Sequence, residues 1–302
     1  MIYPSRLMIS VVLVLTLLAL SAASCSKGVA DDDRLGVIVS ILPQAEFLEK
    51  VGGDRVDVTV MVPYGADPHY YEPSPVQMMK LARSSMYVKV GSGIEFELFY
   101  LDQILAQNRD MIVVDCSRGI TLLPADHDHA HEPQNNEQEE EHATDPHIWL
   151  SPVNARIMVQ NIFEGLVHLD PEGRGYYEEN RDAYLQELRE LDEEIRAELA
   201  NSQGSLFLSY HDFAGYFAEE YGLNFMAIEV EGKDLSPLWI QEIVQTARSM
   251  GVKVIFSPPQ SGLERVSVIA REIGAGIVEF DPLARHYVEN MRVFARELIK
   301  AS

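Results

Sequence analysis

Short apolar runs alternate with helical patterns along most of the 302-residue chain. Such runs, bounded by polar or glycine-containing stretches, predict buried β-strands. The predicted strands are residues 35–41, 56–62, 86–90 and 111–115 in the first half and 206–209, 225–229, 253–257 and 277–280 in the second. Predicted helices between them are 43–51, 75–82, 95–107, 212–221, 236–249, 262–273 and 284–299. This alternation indicates an α/β protein with two similar halves, each a mainly parallel sheet flanked by helices.

A long, highly charged segment, residues 171–201, separates the two halves. Its apolar residues recur at helical spacing: Tyr177, Tyr184, Leu188, Leu191, Ile195 and Leu199. This stripe predicts one long helix with a single buried face. We therefore expect an N-terminal lobe of residues 35–170 and a C-terminal lobe of residues 202–302, joined by a rigid helix.

The N-terminus has the pattern of an export signal. Arg6 precedes an apolar run too short for an ordinary membrane-spanning helix, and small residues and Cys25 follow. We predict a signal peptide over residues 1–25 that ends at a lipidated Cys25, then a polar tether over residues 26–34. Simple cleavage near Ala23 is the alternative. With Cys25 lipidated, Cys116 is the only thiol left, and we expect it to be a core residue.

Acidic residues outnumber basic ones by 47 to 24, and the formal net charge is −23. Nucleic-acid-binding proteins need basic patches, so this charge argues against that class. Much of the acidity lies in residues 126–142, which consist almost entirely of His, Asp, Glu, Gln and Asn. We expect this segment to be a disordered loop. Its four histidines are candidates for an auxiliary metal-collecting site: His127, His129, His131 and His142.

Three other histidines fall in predicted loops, and two of them follow predicted strands. His69 and His147 come from the first half, whereas His211 and Asp281 come from the second. In open α/β sheets ligands bind beyond the carboxyl ends of the strands, so these four side chains could converge between the lobes. Three imidazoles and one carboxylate suit tetrahedral Zn²⁺. His168 and His286 lie near helical patterns, and we expect them to have no metal-binding role.

Five segments resemble the zinc- and manganese-specific solute-binding proteins of ABC transporters. They are VPYGADPHYYEP (62–73), GIEF (93–96), DPHIWLSP (145–152), YHDFAGYF (210–217) and FDPL (280–283). They follow the family's order across nearly the whole mature chain. The resemblance implies two α/β lobes, a rigid connecting helix and a metal between the lobes held by His69, His147, His211 and Asp281.

The resemblance also implies the function. The chain would capture a divalent transition metal outside the cytoplasm, as a monomer anchored by lipid or free in the periplasm, and deliver it to an ABC permease and its ATPase. His211 favours Zn²⁺, because manganese-binding relatives commonly have glutamate there. The acidic, histidine-rich loop is likewise typical of zinc members. Mn²⁺ remains an alternative, because some relatives with three histidines accept both metals.

Two functions from other classes remain open. A zinc hydrolase would keep a fourth coordination position for water, which Asp281 as a ligand would close. Glu229 and Glu231 could be proposed as general bases, but nothing in their spacing supports that role. A surface adhesin is compatible with export and tethering, although the sequence contains no repeated module that favours it. The chain has no P-loop, so ATP hydrolysis belongs to a partner.

Overall fold

The computed structural model of the chain describes residues 34–125, 144–229, 236–261 and 263–301. Within them, two four-stranded parallel sheets have the orders β2-β1-β3-β4 and β6-β5-β7-β8. The strands are β1 Leu35–Val39, β2 Val56–Val60, β3 Met86–Lys89, β4 Ile112–Asp115, β5 Leu206–His211, β6 Asn224–Glu229, β7 Val254–Ser257 and β8 Gly276–Glu279. The predicted fold class is confirmed, and both halves share one topology.

Helices connect successive strands and flank the sheets. They are α1 Leu42–Gly52, α2 Pro75–Leu81, α3 Glu95–Gln107, α4 Pro152–Leu169, α5 Arg174–Glu198, α6 Gly215–Tyr221, α7 Pro237–Ser249, α8 Leu263–Ile273 and α9 Tyr287–Ala301. The sequence patterns did not predict α4. Its start nevertheless has a recognisable signal, because the Ser151 hydroxyl accepts a hydrogen bond from the Asn154 N–H and Pro152 occupies the first turn.

The identical strand orders create equivalent crevices in the two sheets. The chain passes from β1 to β2 on one side of it, and then crosses to β3 on the other side of β1. The connections that follow β1 and β3 therefore lead in opposite directions, and the same holds for β5 and β7. Such divergence leaves a crevice at the carboxyl ends of the strands, where ligands bind in open α/β sheets. The fold therefore provides one candidate binding edge in each lobe.

Helix α5 is the long helix predicted between the lobes. The 25-residue helix follows a short 3-10 turn at Pro171–Gly173, and the predicted stripe of apolar side chains is buried along it. These side chains share one continuous core with Val37 of the first sheet, Phe207 of the second and Phe294 of α9. The helix is thus packed against both lobes along its length, and its rigidity comes from burial as well as from backbone hydrogen bonds.

Direct contacts between the lobes reinforce this shared core. The Glu46 carboxylate on α1 accepts hydrogen bonds from the Tyr184 hydroxyl and from the Tyr287 N–H, both at 2.8 Å. The Trp149 indole N–H donates to the Pro282 carbonyl at 2.8 Å. These bonds join α1, α5 and the start of α9, so each lobe constrains the position of the other.

The N-terminal predictions fall partly outside the described residues. The signal peptide and Cys25 lie there, as does most of the tether. Among the residues that are described, no helix is both long and apolar enough to cross a membrane. Cys116 is a free, fully buried thiol in the core, as predicted.

The shared core predicts that one buried residue of α5 stabilises the whole molecule. Leu188 is fully buried, so Leu188→Ala should lower the free energy of unfolding by about 2–5 kcal/mol through lost transfer energy and the cavity left behind. Urea denaturation of the metal-free protein measures this change. The matched control is the exposed Glu193→Ala, which should stay within about 0.5 kcal/mol of wild type. A loss below about 1 kcal/mol in Leu188→Ala would contradict the role given to the shared core.

Candidate metal centre

A cavity of about 410 Å³ lies between the two lobes at the carboxyl ends of their strands. The first lobe contributes His69, Tyr70, Ile94, His147 and Trp149 to its wall, and the second contributes His211, Glu229, Gln260, Pro282 and Leu283. Three of the four predicted ligands therefore line one space, and the two residues after Asp281 line it as well.

His69 lies in the loop that follows β2 and is fixed by two carboxylates. The Asp67 side chain accepts a hydrogen bond from the His69 N–H at 3.0 Å, which closes a turn around Pro68. The His69 Nδ1 lies 2.8 Å from the Oε1 atom of Glu95, on the first turn of α3. Binding Nδ1 to a carboxylate directs Nε2 of the same ring toward the cavity as the available ligand.

His147 repeats this arrangement within its own turn. The Asp145 Oδ1 atom accepts a hydrogen bond from the His147 N–H at 2.8 Å and lies 2.9 Å from the His147 Nδ1. Both side chains are buried, and the Tyr216 hydroxyl of the second lobe donates to the Asp145 carbonyl at 3.1 Å. The two Asp-Pro-His segments thus use an aspartate to shape the turn, and in the second segment the same aspartate also orients the ring.

His211 is the last residue of β5, whereas the sequence predicted it in the loop beyond that strand. The strand continues because His211 still pairs with Glu229 of β6. The His211 ring centroid lies 5.0 Å from that of His69 and 5.3 Å from that of His147, each pair nearly perpendicular. The three imidazoles therefore meet in the cavity from separate elements of both lobes.

The spacing of the imidazole nitrogens fits a tetrahedral metal. The Nε2 atoms of His69 and His211 are 3.3 Å apart. Two nitrogens bound to one zinc at about 2.0–2.1 Å with tetrahedral angles are about 3.3–3.4 Å apart. A metal bound between these nitrogens would therefore need little movement of either ring.

Asp281 follows β8, and only one of its two carboxylate oxygens accepts a hydrogen bond within the described structure. Its Oδ1 atom accepts hydrogen bonds from the Leu283 N–H at 3.0 Å and from the Gln260 side-chain amide at 3.4 Å. The Oδ2 atom is buried and has no hydrogen-bond partner within the described structure. A buried carboxylate oxygen left unpaired is costly, and a cation would remove that cost. Asp281 is thus suited to a ligand role.

The environments of His69 and His211 move their pKa values in opposite directions. Burial alone would lower the pKa of His69, but the hydrogen bond to Glu95 and its negative charge outweigh burial and raise it above the usual value. Burial holds the pKa of His211 well below its usual value, and the neighbouring rings of His147 and His69 lower it further. His211 is therefore neutral and ready to ligate at physiological pH, whereas His69 keeps a proton to higher pH.

Among the described residues, no three His, Cys, Asp or Glu side chains form a completed metal-binding group. The three histidine rings converge in the cavity, whereas Asp281 is hydrogen-bonded to Gln260 and Leu283 and is not itself among the residues that line the cavity. His286 is exposed, and neither it nor His168 lines the cavity. The loop histidines His127, His129, His131 and His142 lie outside the described residues.

Sequence patterns missed the residues that hold the ligands in place. Glu95, Asp145 and Gln260 each contact a predicted ligand through a hydrogen bond or ion pair. Asp145 could have been found from the repeated Asp-Pro-His pattern. Glu95 lies in the segment GIEF, but its contact with His69 and that of Gln260 with Asp281 could not be found, because each joins residues distant in sequence.

The chain matches the family model described as zinc-uptake complex component A, periplasmic, over residues 37–301. It is 31% identical to the high-affinity zinc uptake system protein ZnuA of Bacillus subtilis (strain 168), over 86% of this chain and 82% of that protein. The zinc-binding lipoprotein AdcA of Streptococcus pneumoniae (strain R6) is 26% identical over 90% of this chain, which spans only 54% of AdcA. A ZnuA crystal structure superposes with a TM-score of 0.80 at 36% identity, covering 89% of this chain and 99% of that one.

The opposed pKa shifts predict how the site responds to acid. In metal-free protein, NMR titration should show His69 protonating above pH 6.5 and His211 staying neutral well below it. Glu95→Gln removes the negative charge, so the His69 pKa should fall, while that of His211 should change less. A His69 pKa unaffected by this substitution would contradict the ion pair. Because ligation needs neutral imidazole, zinc affinity should fall steeply between about pH 7.5 and pH 5.

Proposed function

The chain belongs to the ZnuA family of zinc-uptake components, and from this membership we propose that it captures zinc outside the cytoplasm and delivers it to an ABC importer. The family consists of solute-binding components and not of enzymes, so the chain is a carrier of its metal. Because the family model describes a component of an uptake complex, the proposed partners are a permease and an ATPase. Zinc is its cargo and leaves unchanged.

The proposed ligands are His69, His147, His211 and Asp281. The observation that carries this proposal is the 3.3 Å separation of the His69 and His211 Nε2 atoms in a cavity that His147 also lines. The buried, unpartnered Oδ2 of Asp281 beside that cavity supports the fourth position. Four protein ligands would leave no coordination site for an activated water, which is consistent with transport and not with hydrolysis.

The composition of this site favours zinc over manganese. Imidazole nitrogen suits zinc, whereas manganese is better served by carboxylate, carbonyl and water oxygens, and it stands lower in the general order of affinity. Three of the four proposed ligands are imidazoles. The similar ZnuA and AdcA proteins are described as zinc-uptake and zinc-binding proteins, which supports the same cargo here.

We also propose that Cys25 carries a lipid that tethers the mature chain to the membrane. The support is the sequence pattern around this residue and the description of a relative as a lipoprotein. Anchoring would keep the carrier close to its permease and raise the rate of productive encounters. The proposed carrier acts as a monomer, with one cavity shared by its two lobes.

Ligand variants test the proposal directly. Purified protein should contain one tightly bound zinc, measured by elemental analysis and by competition with a chromophoric chelator. Asp145→Asn removes only an orienting carboxylate and should lower the zinc affinity by about 10–100-fold. His147→Ala and Asp281→Asn should each lower the zinc affinity by more than this. His211→Glu should lower the zinc affinity and reduce the ratio of zinc to manganese affinity, because it replaces a nitrogen ligand with an oxygen ligand.

The matched control for these variants is His168→Ala on α4, away from the cavity, which should bind zinc like wild type. Unchanged zinc affinity in His147→Ala or His211→Glu would remove that residue from the proposed set. A purified protein that selects manganese over zinc would overturn the proposed cargo.

The segment 126–142 is proposed as an auxiliary collector. Its four histidines and many carboxylates precede His147 in the sequence, and its negative charge would raise the local cation concentration. A segment of this composition would lose conformational entropy each time it wrapped a metal, so its sites should be much weaker than the four-ligand cavity. Deleting residues 126–141 should abolish weak calorimetric binding events and leave the tight event intact. Loss of the tight binding event would mean that the segment supplies a primary ligand, which contradicts the auxiliary role. An unchanged titration would mean that the segment binds no metal at all, which also contradicts it.

A further inference from the structure

Glu97 is a buried carboxylate that does not itself belong to the metal centre. It lies on the first turn of α3, exposes 4% of its surface and does not line the cavity. Removing a carboxylate from water is costly unless hydrogen bonds compensate for the lost solvation. Burial accordingly raises the pKa of Glu97, and hydrogen bonds from three neighbouring residues act in the opposite direction. A buried acid surrounded by donors does not serve apolar packing, so its role lies in what it holds.

The partners of Glu97 lie at the carboxyl ends of β1 and β3. Its Oε1 atom accepts hydrogen bonds from the Val90 N–H at 2.6 Å and from the Ser40 hydroxyl, and its Oε2 atom accepts one from the Gly91 N–H at 2.9 Å. The Tyr87 hydroxyl lies 2.6 Å from the Ser40 hydroxyl and donates to it, because the single proton of Ser40 is directed to Glu97. All three direct partners of Glu97 are donors, which suits the carboxylate form.

Glu97 occupies the crevice of the first sheet. The connections that follow β1 and β3 lead in opposite directions, and ligands of open α/β sheets bind at the carboxyl ends of such a pair of strands. Here the backbone N–H groups of that edge donate to a side chain of the protein itself. The carboxylate thus takes the place of an anionic ligand, and it fixes the first turn of α3 to the ends of both strands.

The loop between β3 and α3 supports the turn that carries His147. The Ser92 hydroxyl donates to the Pro146 carbonyl at 2.6 Å, and the Thr144 hydroxyl donates to the Ser92 carbonyl at 2.8 Å. The fit is close, because Gly93 has a φ of +100° and a Cβ atom there would lie 3.2 Å from the Thr144 hydroxyl oxygen. A displacement of this loop would therefore displace the segment that ends in His147.

The same loop leads directly into Glu95, which supports the other histidine of the first lobe. Glu95 lies on the same helical turn as Glu97, and its Oε1 atom is 2.8 Å from the His69 Nδ1. Its Oε2 atom is buried and has no hydrogen-bond partner within the described structure. The orientation that Glu95 gives to His69 therefore depends on where the first turn of α3 is placed.

We propose that Glu97 is a positioning residue of the metal site, which fixes the placement of His69 relative to His147 by tying the first turn of α3 to the ends of β1 and β3. The role rests on the proposed function, because it takes these two histidines as zinc ligands. Glu97 acts on one of them through Glu95 and on the other through the loop that contains Ser92. Its loss would misplace both ligands of the first lobe together, while those of the second lobe keep their places.

The test replaces the carboxylate by an amide of the same size. Glu97→Gln has one carbonyl oxygen in place of two carboxylate oxygens, so an amide N–H group must face a backbone N–H at this edge. The zinc affinity, measured by chelator competition, should fall by about tenfold or more, as for other residues that orient metal ligands. With Co²⁺ bound in place of zinc, the visible absorption bands should change, because they report the ligand geometry. Ser40→Ala removes one donor and should have the same effects to a smaller degree.

The matched control is Ile104→Ala, which removes a fully buried side chain from a later turn of the same helix. It should lower the stability of the protein to urea but leave the zinc affinity and the Co²⁺ spectrum like those of wild type. A double-mutant cycle tests the route through Glu95. In the Glu95→Gln background, Glu97→Gln should lower the zinc affinity by a smaller factor than it does in wild type, because part of its effect is already lost.

Three results would overturn the positioning role. One is an unchanged zinc affinity and Co²⁺ spectrum in Glu97→Gln or, where that variant fails to fold, in Ser40→Ala. Another is an equal loss of zinc affinity in Ile104→Ala, which would make the effect one of general stability. The third is full additivity of the Glu95→Gln and Glu97→Gln losses, which would remove the route through Glu95.

A measurement without metal separates this inference from the proposed function. In the metal-free protein, the NMR chemical shifts of the His69 ring nitrogens report the hydrogen bond to Glu95. These shifts should change in Glu97→Gln and stay like those of wild type in Ile104→Ala, and unchanged shifts in Glu97→Gln would also contradict the role. Failure of wild type to bind zinc would refute the proposed function, whereas the dependence of His69 on Glu97 would still be read from these spectra.

Discussion

Imidazole nitrogens from two separate lobes can meet at one point only if the lobes keep a fixed separation. His69 and His147 belong to the first lobe and His211 to the second, yet their rings approach within about 5 Å of one another. Helix α5 supplies the constraint, because its buried stripe lies in a core shared by both sheets. A flexible hinge would allow this spacing only transiently, whereas a continuous core maintains it. The preformed spacing reduces the ordering entropy that binding must offset.

The surroundings of the histidines complete this preorganisation. A hydrogen bond to the second nitrogen fixes the orientation of an imidazole ring, and here Glu95 and Asp145 bind the Nδ1 atoms of two of the three rings. His211 instead belongs to a strand, and desolvation together with the neighbouring His147 and His69 rings keeps it neutral. The site therefore combines two oriented rings with one that cannot readily accept a proton. At His211 the low pKa favours metal over protons at neutral pH, whereas the raised pKa of His69 makes that ring the more sensitive to acid.

Much of this structure could be predicted from the sequence, for identifiable reasons. The stripe on α5 was readable because helical spacing of Tyr184, Leu188 and Leu191 directly encodes a buried face. The strands could be predicted because buried parallel strands are short apolar runs. Two of the proposed ligands, His69 and His211, were then found at the carboxyl ends of predicted strands. Helix α4 was missed although Ser151 and Pro152 mark its start. The roles of Glu95 and Gln260 could not be read, because a hydrogen bond between distant segments leaves no periodic signal in either.

A rigid pair of lobes also constrains how the metal can leave. With α5 and the Glu46 and Trp149 contacts holding both lobes, large hinge opening is disfavoured, so release must come from local movement near the cavity. His69 is the proposed ligand best placed for this, because it lies in a loop and not in or beside regular structure. Tyr64 and Tyr70 lie in the same loop and are exposed. Movement of that loop would displace one ligand, while the strand that carries His211 stays fixed.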